Sequence, residues 1–203
     1  MDTQKNIPDQ FKGQQTDTSH SITLKSEGEA VDYFKIVKNR LLDVSNWHSL
    51  AGEGTADFQL TDSAGNPVNR TAQIGDHFKI NIPAPGTITG EGNDWVQIES
   101  VEDASNPGGQ NEYISVKVRP ARNPNNADPE TAHFFKDDAT STFIAKREGQ
   151  TVSAEVHGRN ETPNTKETGI VDTVRNAVVA VGAMLGFSKM QWKSLVKALI
   201  EKE

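Results

Sequence analysis

From His20 to Ser26 the chain reads HSITLKS, with Ile22 and Leu24 on one side of a period-two pattern and Ser21, Thr23 and Lys25 on the other. That alternation predicts a half-buried strand. The spacing then changes. Ser26 stands three residues before Glu29, an interval at which a hydroxyl and a carboxylate cover free backbone N–H groups at a helix start. Ala30, Phe34, Val37 and Leu41 follow at helical intervals and predict one amphipathic helix. DVSNWHSL reads as a second short helix or turn, with Val44, Trp47 and Leu50 buried.

Period two then returns for six segments. Phe58 and Leu60 in ADFQLTD face inward, as do Phe78, Ile80 and Ile82 in DHFKINIP, Val96 and Ile98 in DWVQIESV, and Ile114, Val116 and Val118 in EYISVKVR. Their partners His77, Lys79, Asn81, Trp95, Gln97, Glu99, Ser115, Lys117 and Arg119 take the other face. STFIAKREGQ and TVSAEVHG make a hairpin around Glu148-Gly149-Gln150, with Val152, Ala154 and Val156 opposite Ser153, Glu155 and His157. SAGNP and ASNPGGQN carry turn residues, GTITGEGND is a loop, and PARNPNNADPETAH is a long polar connection. Clean alternation with short glycine-bearing links predicts an antiparallel sheet, one face covered and the other wet.

The carboxy-terminal pattern is helical. Ile170, Val174, Val178, Val181 and Leu185 form one stripe, which Val171, Val179 and Met184 widen. Gly186 interrupts it. Ser188 and Gln191 repeat the capping interval, predicting a new helix or a kinked continuation. Beyond them Trp192, Leu195, Val196 and Leu199 lie opposite lysines.

Strand, helix, short helix, six strands and a long closing helix is an order that resembles the helix-grip fold of the START and Bet v 1-like superfamily (SRPBCC). The resemblance covers about residues 20–203 and is carried by HSITLKS, SEGEAVDYFKIVKNRLLDVSNW, the six strands and QWKSLVKALIEKE. It implies an α+β chain, β-α-α-β6-α, whose curved antiparallel sheet wraps the last helix around a cavity for a small apolar or amphipathic, lipid-like or polyketide-like molecule. The expected organisation is a flexible tail over residues 1–19, with Phe11 to pin it, and one domain over 20–203. Two features lie outside that plan, the insertion at 120–136 and the apolar stretch at 170–185.

Composition narrows the function classes. The 203 residues carry 28 acidic and 21 basic side chains, net −7, so the basic excess that neutralises nucleic-acid phosphates is missing. With no cysteine, disulfides, thiolate zinc and cysteine nucleophiles drop out. The first twenty residues show no apolar signal core, and no apolar run is long enough to span a bilayer, which predicts a cytoplasmic chain without membrane insertion. The histidines at 20, 48, 77, 133 and 157 form no HxH or HxxxH set, and Glu155 with His157 is a minimal pair only, so no metal or cofactor is expected.

The expected ligand-binding residues are Phe78, Ile98 and Val116 on the inward strand face, Trp192 on the helix that the resemblance turns toward the cavity, and His133 beside Phe134 and Phe135 at its mouth. HGRNETPN adds a polar rim of Arg159, Asn160 and Glu161. In one reading Arg159 grips a carboxylate or phosphate while Glu161 or His157 moves a proton. In the other the stretch is a structural connection, with Arg159 paired to an acid such as Asp172. Asp172 and Arg175 also form a helix pair. The leading expectation is a ligand binder. A cyclase- or hydratase-type enzyme on the same scaffold is the alternative, and a protein-interaction module, paired as a homodimer through the 170–185 helix, is the third.

Overall fold

The computed structural model describes residues 3–52, 54–82, 87–164 and 174–201; for 174–181 and 183–185 it describes the backbone alone. A 3-10 turn at Thr3–Asn6 precedes β1 (Gln14–Thr23). Then come α1 (Glu27–Leu42), a 3-10 turn at Val44–Asn46 and α2 (Trp47–Ala51). Six strands follow: β2 (Asp57–Thr61), β3 (His77–Asn81), β4 (Asp94–Ala104), β5 (Asn111–Pro120), β6 (Thr140–Glu148) and β7 (Thr151–Glu161). The last element is α3 (Val174–Ile200). The strands form one curved sheet in the order β1-β7-β6-β5-β4-β3-β2, antiparallel throughout, with the helices on one face. This is the β-α-α-β6-α helix-grip arrangement.

Local chemistry explains the elements. Glu29 N–H donates to Ser26 Oγ (3.2 Å), which answers one orphan donor at the start of α1, and Lys25 N–H donates to Glu29 Oε2 (3.3 Å), which ties the residue before the cap to the first turn. Ala30, Phe34, Val37 and Leu41 are all buried against the sheet. Trp47 sits at the centre of the core. Its ring lies 5.2, 5.6 and 4.9 Å from those of Phe58, Phe78 and Phe143, and its Nε1–H donates to the Arg40 carbonyl at 3.1 Å. Each alternating inward residue from Phe58 to Val156 belongs to this one cluster. Leu195, Val196, Leu199 and Ile200 close it from above. The end of α3 is held by α1: Tyr33 Oη donates to the Ile200 carbonyl (2.6 Å), and Arg40 Nη1 to those of Leu199 (3.2 Å) and Glu201 (2.9 Å). These bonds answer carbonyls that a helix terminus leaves unpaired.

Two expectations are corrected, and one open alternative is decided. First, residues 1–19 are not a loose tail across their length. Residues 14–19 are the first half of β1, paired with β7 from Gln14↔Glu161 onward. Ahead of them the chain is strapped across the sheet's far face. Lys5 pairs with Glu102 at 2.7 Å, and Asn160 accepts from the Phe11 and Lys12 N–H groups through Oδ1 and donates to the Asp9 carbonyl through Nδ2. Phe11 itself is exposed, so the amides rather than the ring do the pinning.

Second, the far face is not wet. Trp95, Tyr113, Ser115, Thr142, Ile144 and His157 are buried there, although alternation turns them away from the helices. The strap accounts for part of this cover and the long connection for the rest. Ala132 lies between strands, its carbonyl accepting from the Trp95 N–H and its N–H donating to Ala121. Further on, Lys136 N–H donates to the Thr162 carbonyl and Asn164 N–H to that of Phe134. The connection thus laces the ends of β4, β5 and β7 together.

Of the two alternatives at Gly186, a new helix or a continuation, the structure has the second: α3 runs through Gly186 without a new start. Ser188 and Gln191 are buried instead of capping, because the Gln191 Oε1 accepts from the Ala56 N–H at 2.6 Å. The expected apolar stripe from Ile170 to Leu185 and the Asp172–Arg175 pair lie outside the described side chains.

Candidate functional site: a cleft at the mouth of the sheet and helix

Where α3 leaves the sheet, a cleft opens between Phe58, Ile80, Phe134, Phe187, Gln191 and Trp192, with His133 and Ser141 on its rim. Four elements build it. β2 and β3 supply the floor through positions that alternation turns toward the helix. The long connection brings His133 and Phe134. α3 brings Phe187, Gln191 and Trp192, spaced so that they share one face. The void is about 40 Å³, close to the volume of a single water in the liquid. Phe134, Phe187 and Trp192 are half-buried, so the cleft is walled by rings that still meet solvent.

The site holds no charge. His133 is buried, and burial pushes its imidazole down to about 3, so it is neutral at physiological pH. The Phe135 N–H donates to His133 Nδ1 at 2.9 Å, which puts the ring hydrogen on Nε2. The imidazole stacks on Phe134, with centroids 4.4 Å apart and planes at 21°. Gln191 is the second polar group. Its Oε1 is taken by Ala56, while among the described residues its buried Nε2 has no hydrogen-bond partner. A buried donor without an acceptor is unfavourable, and a carbonyl or hydroxyl placed in the cleft satisfies it.

Of the expected ligand residues, the structure brings two together here, Trp192 and His133. Phe78, Ile98 and Val116 are core residues, fully packed under Trp47 and its neighbours, and do not line the cleft. The polar rim is elsewhere. Arg159 donates to the Thr16 and Gly158 carbonyls and pairs with Asp17 at 2.8 Å. Asn160 adopts a left-handed φ of 57° and holds the strap. His157 lies on the far face between two carboxylates, 2.6 Å from Asp17 and 3.0 Å from Glu155. Burial lowers its pKa, but its hydrogen bonds to Glu155 and Asp17 outweigh burial, and the net direction is up.

Glu161 is buried on the helix side of β7, touching Thr16 through Oε1 at 3.2 Å. Burial pushes its carboxyl up to about 7, against the opposing hydrogen bond from Thr16. Gly158 makes room for it: a Cβ there would stand 2.1 Å from the Glu161 carboxylate oxygen. HGRNETPN is therefore a load of internal contacts: none of its residues lines the cleft, although Asn164 holds the backbone of His133 and Phe134, which do.

Sequence reasoning missed Gln191, which it read as a capping residue. The signal was present: Phe187, Gln191 and Leu195 share one helical stripe, and a lone amide between two apolar positions marks a buried polar contact. It also missed the Arg147–Glu112 ion pair, buried at the turn end of the sheet with N···O 2.6 Å. Arg147 further donates to the Gly109, Gln110 and Gly149 carbonyls, joining two hairpin turns. Among the described residues no cluster of ligating side chains suits a metal ion, and no helix is long and apolar enough to cross a membrane.

No family model matches the chain, and no curated protein matches its sequence. Solved structures to which it is similar include a norcoclaurine synthase from Thalictrum flavum, at 7% identity over 93% of this chain and 88% of that one, with a TM-score of 0.38. Another is ginseng major latex-like protein 151 from Panax ginseng, at 10% identity over 89% and 99%, TM-score 0.35. A third is Ara h 8.0201, at 11% identity over 92% and 98%, TM-score 0.34. These superpositions are loose and carry no residue correspondence. The fold assignment rests on this chain's own strand order and helix placement.

Proposed function

We propose that the protein binds a small, uncharged, largely apolar molecule carrying one hydrogen-bond acceptor, in the cleft between the sheet and α3. The observation that carries this reading is Gln191: a buried amide donor with no partner among the described residues, set in a wall of aromatic rings. The rings supply affinity by burial, at roughly 25 cal/mol per Å² of apolar surface. The amide supplies orientation, and His133 offers a second donor through Nε2. A charged guest is disfavoured, since nothing in the lining compensates a buried charge. At about 40 Å³ the cleft is smaller than such a guest, so entry displaces the half-buried Phe134 and Trp192 rings. Free rotation of such rings at a mouth is cheaper than opening the packed core behind them.

The test compares acetophenone with ethylbenzene, two molecules of similar shape of which only the first has a carbonyl, reading the Trp192 indole signal by NMR. Both are expected to saturate, acetophenone roughly fivefold to tenfold more tightly. Gln191→Leu is expected to erase that preference while leaving ethylbenzene binding in place. If neither molecule saturates, or if both perturb residues away from the cleft, the proposal is wrong.

A further inference from the structure

A second concavity lies on the far face of the sheet, on the other side from the cleft. Strand register makes its floor. His77 pairs with Gln97 and Gln97 with Arg119, so the three side chains form a row across β3, β4 and β5. Ser63 and the residues after β5, including Arg122, wall a space of about 330 Å³.

Its charge is unlike that of the molecule as a whole. The chain carries −7, yet here Arg119, Arg122 and the adjacent Lys117 face a single carboxylate, Glu99. That carboxylate is already engaged, 2.5 Å from Arg119 Nε and 3.3 Å from Lys117 Nζ. Arg122 is exposed, and among the described residues it makes neither an ion pair nor a hydrogen bond. The nearby acids Asp76 and Asp62 have their own partners, Arg70 at 2.6 Å for the first and the Asn66 amide for the second.

His77 adds a different kind of group. It is buried on the floor of this space, and burial lowers its pKa, so the ring is neutral near pH 7. The Asp62 backbone works against burial on this ring, as a carbonyl facing a ring N–H does. Nδ1 has no partner among the described residues, which gives that N–H to Nε2 and leaves Nδ1 a buried lone pair. A bare acceptor on a residue of the floor and an unpaired guanidinium in the wall of the same space ask for a ligand with two properties: negative charge, and an O–H to give.

We propose that this concavity binds a small oxyanion bearing a hydroxyl, with Arg122 and the N–H groups that Arg119 does not spend on Glu99 and the Asp137 carbonyl holding the anionic oxygens, and the O–H donating to His77 Nδ1 once the ring turns to expose it. Hydrogenphosphate and short hydroxycarboxylates share this chemistry. Sulfate and acetate match their charge and lack the donor at neutral pH. The site is independent of the cleft and of any apolar guest.

The test is titration of the isotope-labelled full chain with phosphate, sulfate, lactate and acetate at constant ionic strength, followed by amide NMR. Saturable shifts are expected at His77, Gln97, Ala121 and Arg122, with no movement at Trp192. Phosphate is expected to bind several-fold more tightly than sulfate, and lactate than acetate, and the stronger member of the two pairs names the source of the anion. Arg122→Ala leaves the fold intact, because that side chain is exposed and unpaired, and is expected to weaken binding roughly tenfold or more. Shifts that rise linearly without saturating, or an affinity unchanged by Arg122→Ala, overturn the site. Equal binding of hydroxylated and plain anions overturns the role of His77 and with it the ligand class.

Discussion

The two faces of the sheet reach similar burial by opposite chemistry. Toward the helices the cover is regular and greasy: Trp47, Phe58, Phe78 and Phe143 meet ring to ring, and three helices lie over them. On the far face the cover is irregular backbone, a strap from Thr3 to Gly13 and a connection from 121 to 139. What it covers includes histidines, threonines and an ion network of Lys146, Glu155, His157 and Asp17. One face is held by area and the other by pairing. The difference explains where ligand chemistry can sit. An apolar core packed to crystal-like density leaves room only at its mouth, whereas polar cover leaves gaps with unanswered atoms.

The contrast predicts unequal costs. The largest belongs to the helix face: Trp47→Ala removes the ring at the centre of the core and is expected to cost about 3–5 kcal/mol in chemical denaturation. A loss below about 1 kcal/mol would mean that the core is not organised around it.

Next is Glu161, the acid that burial holds at about 7 on the same side. Its folded pKa is raised, so between its unfolded value near 4.5 and 7 the native state binds more protons, and stability falls as pH rises through that window. Glu161→Gln is expected to raise stability by about 1–3 kcal/mol above pH 7 and to flatten this slope. An unchanged slope in the variant would remove the carboxyl from the account.

The smallest effect belongs to the far face. His157 has a raised folded pKa, so its contribution is complete below its unfolded value near 6.5 and is lost as pH rises through the folded value. Asp17 is nearly half exposed and solvent screens its share, while the more buried Glu155 keeps Lys146 as a partner, so His157→Gln is expected to cost about 0.5–1 kcal/mol at pH 6 and less at pH 9. A larger cost at high pH than at low pH would reverse the assignment.

Much of the helix face was legible in the sequence because its signals are local. Ile114, Val116 and Val118 declare their side by simple alternation, and Ala30 to Leu41 by helical spacing. The far face was not legible for the same physical reason. Nothing in Thr3 to Lys12 is periodic, and the strap is fixed by the amide of Asn160, some 150 positions away. Trp95 follows its alternation correctly, yet alternation assigns a side and says nothing of what lies over it. Ser188 and Gln191 show a local signal misleading: their spacing suits a helix cap, but the Ala56 N–H outbids that use. Of the candidate cleft, the sequence pointed to His133 and Trp192, a histidine beside two phenylalanines and an aromatic on the closing helix. Arg159 and Asn160 were not separable from ligand residues until register showed Asp17 and the strap beside them.

The strap also bears on how the chain is made. Gln14 pairs with Glu161, and Phe11 bonds to Asn160, so the first strand of the sheet to be synthesised finds its partner in the last. Such distant closure is slow compared with local contact. Through most of synthesis, β1 and the segment before it wait unpaired while the hairpins from β4 to β7 form one after another. The sheet then closes from its late end back to its early one, and nascent chains halted before residue 161 present an open strand edge of the kind that chaperones bind and aggregates recruit.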